Sequence, residues 1–246
     1  MKISDGVQML ELYVEAFDSR QELNPTLIWD DETAILIDTG TPGQLEQIRT
    51  AMNEVGVSMG NLKAIILTHQ DIDHIGSLPE ILNESSGGIE VYAHEVDKPY
   101  IEGELPLMKG NPDSMAWQLE GLSEEVRQKV LASVENPPTA KVDRTLVDGE
   151  ELPYCGGIRV IFTPGHTPGH ISLYLKKGKI LVAGDAMFSV EGILQGPHQP
   201  STPDMDTAFQ SMKKYMDFDI EKVVCYHGGL SQNNVKNQLE DLVRKV

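Results

Sequence analysis

The amino-acid sequence predicts an α/β protein, and three observations lead to that class. Short apolar runs rich in β-branched residues, at positions 63–67 and 222–225 for example, alternate with segments whose apolar residues recur at helical spacing. Histidine and aspartate side chains follow several of these runs, at positions where α/β proteins tend to place their sites. The 246 residues suffice for one large domain, or two small ones, with a substantial core.

Strands and helices alternate through the first part of the chain. The predicted strands lie at residues 9–15, 26–29, 33–38, 63–67 and 89–93. The predicted helices are one opened by Pro42, with Leu45, Ile48, Met52 and Val55 on one stripe as far as Gly56, and one at 77–83.

From residue 95 to about 140 the pattern becomes helical and polar, with five prolines between its segments. The clearest helix in this stretch is predicted at 122–134. We interpret residues 1–246 as a single domain in which 95–140 is a helical insertion that covers the site.

The remaining chain returns to strands and closes with helices. The predicted strands lie at 144–147, 150–154, 157–162, 171–175, 179–183 and 222–225, and the predicted helices at 206–216 and 234–246. Gly192, Gly196, Pro197 and Pro200 lead us to expect no regular structure in a loop at 188–203.

Composition narrows the class of partner. The net charge of −18 would repel a nucleic-acid backbone, and no basic run of the nucleic-acid-binding kind is present. The sequence contains no run of 18 apolar residues, so no membrane span is predicted. The first residues lack the apolar core of a signal peptide. We therefore expect a cytoplasmic protein with a small-molecule substrate, and buried inert thiols at Cys155 and Cys225. The oligomeric state stays open.

Four potential metal ligands lie within six positions directly after the strand at 63–67: His69, Asp71, Asp73 and His74. Alternate side chains of an extended segment point the same way, so His69, Asp71 and Asp73 are expected to share one face. His74 would turn toward them as a helix begins. Imidazole and carboxylate groups in one small volume suit a divalent metal such as Zn, Fe or Mn.

Three further candidates follow later strands, each with glycine beside it: His166 after residues 157–162, Asp185 after 179–183 and His227 after 222–225. Glycine permits the tight backbone paths that aim a side chain inward. One such residue would be weak support, but four strand ends bearing His or Asp together predict a metal site.

With these motifs the sequence resembles the metallo-β-lactamase superfamily, especially its glyoxalase II-type thioesterases and N-acyl homoserine lactonases. The resemblance extends from the Asp38-Thr39-Gly40 turn to His227. It implies a four-layer αββα sandwich with a site for two divalent metal ions, zinc first, with iron or manganese as alternatives. It also implies that His69, Asp71 and His166 hold one ion and Asp73, His74 and His227 the other, with Asp185 bridging them.

The implied activity is metal-dependent hydrolysis of an ester, thioester or lactone by a hydroxide that bridges the two ions. Asp73 is the candidate to pass a proton to the leaving group. Three alternatives stay open: a small phosphodiester hydrolase, a mononuclear-iron oxidoreductase resembling persulfide dioxygenases, and a metal-binding protein without activity. The complete second ligand set favours two metals over one iron.

Asp71 departs from the family pattern, which usually has histidine there. Three carboxylates and a hydroxide would then neutralise two divalent ions. We expect a less acidic bridging water than in a site with five histidines, and greater tolerance for iron or manganese.

Several nearby residues receive weaker assignments. Asp38 either orients a ligand or is an ordinary turn aspartate. His170 is expected to make a supporting hydrogen bond near the site, and His198 is a candidate for substrate contact. His94 is expected to cap or pack a strand end, and Tyr226 and Phe188 to line a pocket or pack in the core.

Overall fold

The computed structural model describes residues 1–16, 19–85, 88–109, 124, 128 and 135–244. The α-helices of this part are α1 (Leu45–Glu54), α2 (Ile72–Ile75), α3 (Leu78–Glu84), α4 (Lys98–Ile101), α5 (Met205–Met212) and α6 (Val235–Arg244). The strands are β1 (Lys2–Ser4), β2 (Val7–Met9), β3 (Leu12–Ala16), β4 (Ser19–Leu23), β5 (Thr26–Trp29), β6 (Ala34–Ile37), β7 (Leu62–Ile66), β8 (Glu90–His94), β9 (Arg144–Leu146), β10 (Glu151–Leu152), β11 (Ile158–Phe162), β12 (Ile171–Leu175), β13 (Ile180–Gly184), β14 (Phe188–Val190), β15 (Ile193–Gln195), β16 (Lys222–Cys225) and β17 (Gly229–Ser231). Short 3-10 helices lie at Met59–Asn61, Gln199–Ser201 and Lys213–Asp217.

The described strands form two large mixed sheets and two separate hairpins. The first sheet has the order β1-β2-β5-β6-β7-β8-β9, and the second has the order β10-β11-β12-β13-β16-β17. Strands β6 to β9 run parallel, as do β13 and β16, while the other neighbours are antiparallel. The hairpins are β3-β4 and β14-β15.

Side-chain alternation along the strands stacks these sheets face to face. In β6, Ile35 and Ile37 join a core shared with strands of the second sheet, while Leu36 lies in a separate core with helix residues. Strand β13 follows the same rule: Val182 faces the shared core, and Leu181 faces the other way. This period of two is what a sheet buried on both faces requires.

Helices cover the outer face of each sheet. Ile48 of α1 and Ile81 of α3 pack in the core outside the first sheet, and Met212 of α5 and Leu239 of α6 pack outside the second. Each is at most 2% exposed, and burying such a side chain stabilises the fold by about 1.5–3 kcal/mol. The order of layers is helix, sheet, sheet, helix, which confirms the predicted αββα sandwich.

Two local predictions are wrong and one falls outside the described residues. The loop expected at 188–203 contains the hairpin β14-β15, because Glu191 and Gly192 both adopt positive φ and form the tight turn that joins two strands. The strand expected at 9–15 is interrupted: β2 belongs to the first sheet, and β3 starts a separate hairpin. The predicted helix at 122–134 lies outside the described residues except for Glu124 and Gln128.

The topology directs several strand ends to one edge of the sandwich. Parallel strands end at the same edge within each sheet. The Ile171 N–H donates to the Thr68 carbonyl at 2.9 Å, which brings the segment after β7 to the edge of the second sheet. Among the described helices, none is long and apolar enough to cross a bilayer.

Candidate metal centre

Five of the seven predicted ligands follow a strand, and the other two lie on helix α2. His69 and Asp71 follow β7, His166 follows β11, Asp185 directly follows β13, and His227 follows β16. The expectation of an extended segment through Asp73 is wrong, because helix α2 already begins at Ile72 and carries Asp73 and His74. Asp71 is the last extended residue before that helix, so the direction of the chain changes between the two aspartates.

A first group consists of His69, Asp71 and His166, whose nearest ligand atoms lie within 4.8 Å of one another. Asp71 Oδ2 is 3.2 Å from His69 Nε2 and 3.0 Å from His166 Nε2. The two histidines are at most 2% exposed. Two imidazole nitrogens and a carboxylate oxygen therefore converge in a buried place.

A second group consists of Asp73, His74 and His227, again within 4.8 Å. Asp73 Oδ2 lies 3.3 Å from His227 Nε2 and 3.8 Å from His74 Nε2. Asp185 lies between the groups: its Oδ1 is 3.3 Å from His74 Nε2, and its Oδ2 is 3.3 Å from His166 Nε2. His69, His74 and Asp185 also lie within 4.8 Å of one another. The seven predicted ligands therefore meet as two groups that Asp185 and these two histidines link.

Three atoms at the centre of this arrangement test whether it fits cations. His69 Nε2, His74 Nε2 and Asp185 Oδ1 are fully buried and make no hydrogen bond, and their nearest polar contacts are charge pairs at 3.2–3.3 Å. Leaving a buried polar atom without a hydrogen bond costs about 1–3 kcal/mol, so three in one place need an explanation. All three are good ligand atoms for a divalent cation, and the residues thus fit a metal centre.

The opposite nitrogens of the ligand rings are held by hydrogen bonds. Asp38 Oδ2 accepts from His74 Nδ1 at 2.9 Å and from Thr68 Oγ1 at 2.8 Å, while its Oδ1 accepts from the Thr68 backbone N–H. Since the Thr68 hydroxyl donates to Asp38, it accepts from His69 Nδ1, 3.0 Å away. Both rings therefore present Nε2 as the ligand atom, and these contacts favour the orienting role for Asp38.

Replacing Asp38 by asparagine is expected to weaken metal binding by about 10–100-fold, the usual effect of losing such a partner. An amide nitrogen at the Oδ2 position would face two donors, His74 Nδ1 and Thr68 Oγ1. The measurement is competition for Zn²⁺ with a chromophoric chelator. Asp30→Asn is the matched control, because Asp30 accepts from the Glu32 and Thr33 backbone N–H groups in an exposed turn. Equal affinities in the two variants would contradict the orienting role.

His170 lies behind the ligand groups and not within them. Its Nε2 accepts from the Asp185 backbone N–H at 3.0 Å, and its Nδ1 bonds Thr163 Oγ1 at 2.8 Å. Burial lowers the pKa of His170 to about 3, so the ring is neutral and able to accept. A Cβ on Gly184 would lie 2.6 Å from His170 Nε2, so glycine is needed for this contact. The arrangement matches the expected supporting hydrogen bond.

The other weakly assigned residues lie around the site. His198 bonds Ser201 through Nδ1 and sets its ring edge-on to Phe188, with centroids 5.9 Å apart. His94 stacks on Phe162. Tyr226 packs its buried ring on His74 and donates its hydroxyl to the Asp73 carbonyl, so it supports the second group from the core.

Asp97 is a buried residue at the site that sequence reasoning missed. Its carboxylate accepts from the Gln70 backbone N–H and Nε2 on one loop, and from Thr167 Oγ1 and the Gly169 N–H on another. These loops carry His69 and Asp71 on one side and His166 on the other. In the structure Asp97 directly precedes helix α4, and nothing in its local sequence points to the two loops.

Lys109 was also missed, because nothing near it in sequence carries a ligand motif. Its Nζ lies 2.5 Å from Asp71 Oδ2 and 2.6 Å from His166 Nε2, inside the first group. The neighbouring Met108 N–H donates to Gln70 Oε1 at 2.9 Å. The backbone at Met108, next to Lys109, is thereby fixed against the loop that carries Asp71.

Charges within the centre shift the pKa values of its residues strongly. Burial opposes protonation of His74 and His227, but the surrounding carboxylates outweigh it. They raise the pKa of His74 well above its ordinary value and that of His227 to about 10. Burial likewise opposes ionisation of Asp185, yet His227 and His74 hold the pKa of its carboxyl well below the usual range. The centre is built to balance carboxylates with positive charge.

The αββα sandwich and the two joined ligand groups define a class, the metal-binding proteins that carry their site at the edge between two sheets. Residues 23–227 match the family described as the Metallo-beta-lactamase superfamily. The chain belongs to this superfamily, which confirms the predicted resemblance.

Relatives in several organisms agree with this membership. The chain is 33% identical to the probable metallo-hydrolase YflN of Bacillus subtilis, over 86% of this chain and 82% of the relative. It is 30% identical to the hydroxyacylglutathione hydrolase GloC of Haemophilus influenzae, over 67% of this chain and 66% of that protein. The family protein TTHA1429 of Thermus thermophilus shares the fold, with a TM-score of 0.73 at 23% identity, over 99% of this chain and 80% of that one. The family and the relatives support the predicted class of metal-dependent hydrolase.

Proposed function

We propose that this protein is a dinuclear metal-dependent hydrolase that cleaves an ester, thioester or lactone of a small molecule. The observation that carries the proposal is the pair of ligand groups joined through Asp185, with unpartnered buried atoms at their centre. The relative named hydroxyacylglutathione hydrolase supports an acyl substrate. Zinc is the first candidate metal, since imidazole and carboxylate are both among its usual ligands.

Divalent cations held by these residues would supply Lewis acidity toward a carbonyl group and a water of lowered pKa. His69, Asp71 and His166 would hold one cation, and Asp73, His74 and His227 the other, with Asp185 shared. Asp73 lies at the more open end of the site, where its side chain is 27% exposed. A carboxylate there is the candidate to take a proton from the attacking water and pass it to the leaving group.

Metal content per chain tests the proposal directly. Protein purified without chelator or added metal is analysed by plasma mass spectrometry and then assayed on a panel of thioesters, lactones and phosphodiesters. We expect two ions per chain and hydrolysis of an acyl substrate. One iron and oxygen uptake would instead support the persulfide dioxygenase-like alternative. No metal after reconstitution would overturn the ligand assignment.

Metal binding is expected to release protons and to strengthen as the pH rises. Since the pKa of His227 is raised to about 10 and that of His74 is also raised, both rings hold a proton near pH 7 in metal-stripped protein. A ligand nitrogen must lose that proton, so affinity should rise about tenfold per pH unit for each proton released. Calorimetric titration in two buffers of different ionisation enthalpy counts the protons. His227→Ala, which leaves the second ligand set incomplete, should release fewer protons than wild type, and heats independent of the buffer would contradict the prediction.

A further inference from the structure

The first ligand group contains an internal cation. The Lys109 ammonium contacts Asp71 Oδ2 and His166 Nε2, which are two of the three ligand atoms of that group. The second group has no such contact with a lysine or arginine among the described residues. A divalent cation would need the same two atoms at about 2.0–2.2 Å, the usual zinc distances. The ammonium and a bound metal therefore cannot occupy them together.

Burial strengthens the ion pair between Lys109 and Asp71, so that it can compete with a metal ion. The side chains of Lys109 and Asp71 are only 19% and 12% exposed, so water screens their attraction poorly. The flexible four-carbon stem of lysine nevertheless allows the ammonium to move away when a stronger cation arrives. Lys109 also supplies one positive charge opposite Asp71, the residue that adds a carboxylate to the site. It thereby offsets the extra negative charge of that carboxylate.

We propose that Lys109 competes with metal for the first ligand group and so lowers the apparent affinity of this group for its ion. The inference rests on the proposed dinuclear site. A metal that must first displace Lys109 has an apparent affinity reduced by the fraction of molecules in which the lysine has withdrawn. The second group, which does not contact Lys109, loads without this competition.

The experiment isolates the first group by working in a His227→Ala background, where the second ligand set is incomplete. Zn²⁺ is titrated into metal-stripped protein against a chromophoric chelator, with and without Lys109→Met. We expect the Lys109→Met change to tighten Zn²⁺ binding about tenfold, because no withdrawal precedes binding. Lys109→Arg retains the charge and should give no such gain. Lys98→Met is the matched control, since Lys98 bonds Glu102 and the Val142 carbonyl.

A second readout follows the metal-stripped protein by thermal unfolding. Lys109→Met leaves the Asp71 carboxylate without its cation, so the unfolding midpoint of the metal-stripped variant should be lower than that of wild type. On saturation with zinc, the midpoint of the variant should rise by more than that of wild type. Unchanged or weaker Zn²⁺ binding in Lys109→Met would overturn the inference while leaving the proposed function intact. If neither wild type nor the His227→Ala background binds Zn²⁺, the proposed dinuclear site itself fails.

Discussion

Asp185→Asn is expected to reduce bound metal to below one ion per chain and to lower kcat/KM by at least about 10³-fold. This loss exceeds the usual effect of removing a single hydrogen-bond donor that stabilises a transition state. Asp185 is the carboxylate common to both groups, within 3.4 Å of His74, His166 and His227. Its replacement removes a negative charge from between two sites for divalent cations. The raised pKa of His227 depends chiefly on this carboxylate once burial is overcome.

The measurement combines metal analysis with kinetics on whichever panel substrate the wild type cleaves. Asp219→Asn serves as the control, because Asp219 is 75% exposed and pairs with Lys179. It should keep both metal and activity. If Asp185→Asn retains two ions and most of its activity, the shared carboxylate has no bridging role. Loss of one ion alone would show that the groups bind independently.

The ligand residues were predictable because local sequence features mark their positions. His166, Asp185 and His227 follow strands whose apolar residues are visible in the printed sequence, with a glycine next to them. Topology does the rest, since parallel neighbours end at one edge. The four-layer architecture, by contrast, came from the family resemblance, because alternation alone does not say what packs on each face.

The missed features depend on contacts between distant parts of the chain. Lys109 meets Asp71 across 38 residues and His166 across 57. No periodicity or motif encodes such a meeting. The error at β14-β15 has another cause: Gly192 was interpreted as a break in structure, whereas its positive φ makes the turn of a hairpin. A glycine marks a special backbone conformation without saying whether strands flank it.

Asp97→Asn is the second large expected effect, and it should act selectively on the first group. The carboxylate of Asp97 is 1% exposed and accepts four hydrogen bonds from two loops. An amide in its place turns one acceptor into a donor that faces other donors. Leaving one or two of these buried donors unpaired should lower the free energy of unfolding by about 2–4 kcal/mol. Separation of the loops would also move His166 away from Asp71.

The prediction distinguishes positioning from general destabilisation through metal stoichiometry. A positioning role predicts that Asp97→Asn loses the first ion and keeps the second, whose ligands lie on α2 and after β16. General destabilisation predicts a lower unfolding midpoint with both affinities reduced alike. Asp204→Asn is the matched control, because Asp204 also accepts from a threonine hydroxyl and a backbone N–H but at an exposed helix start, where asparagine caps equally well. Two ions retained in Asp97→Asn would show that the loops hold their ligands without this carboxylate.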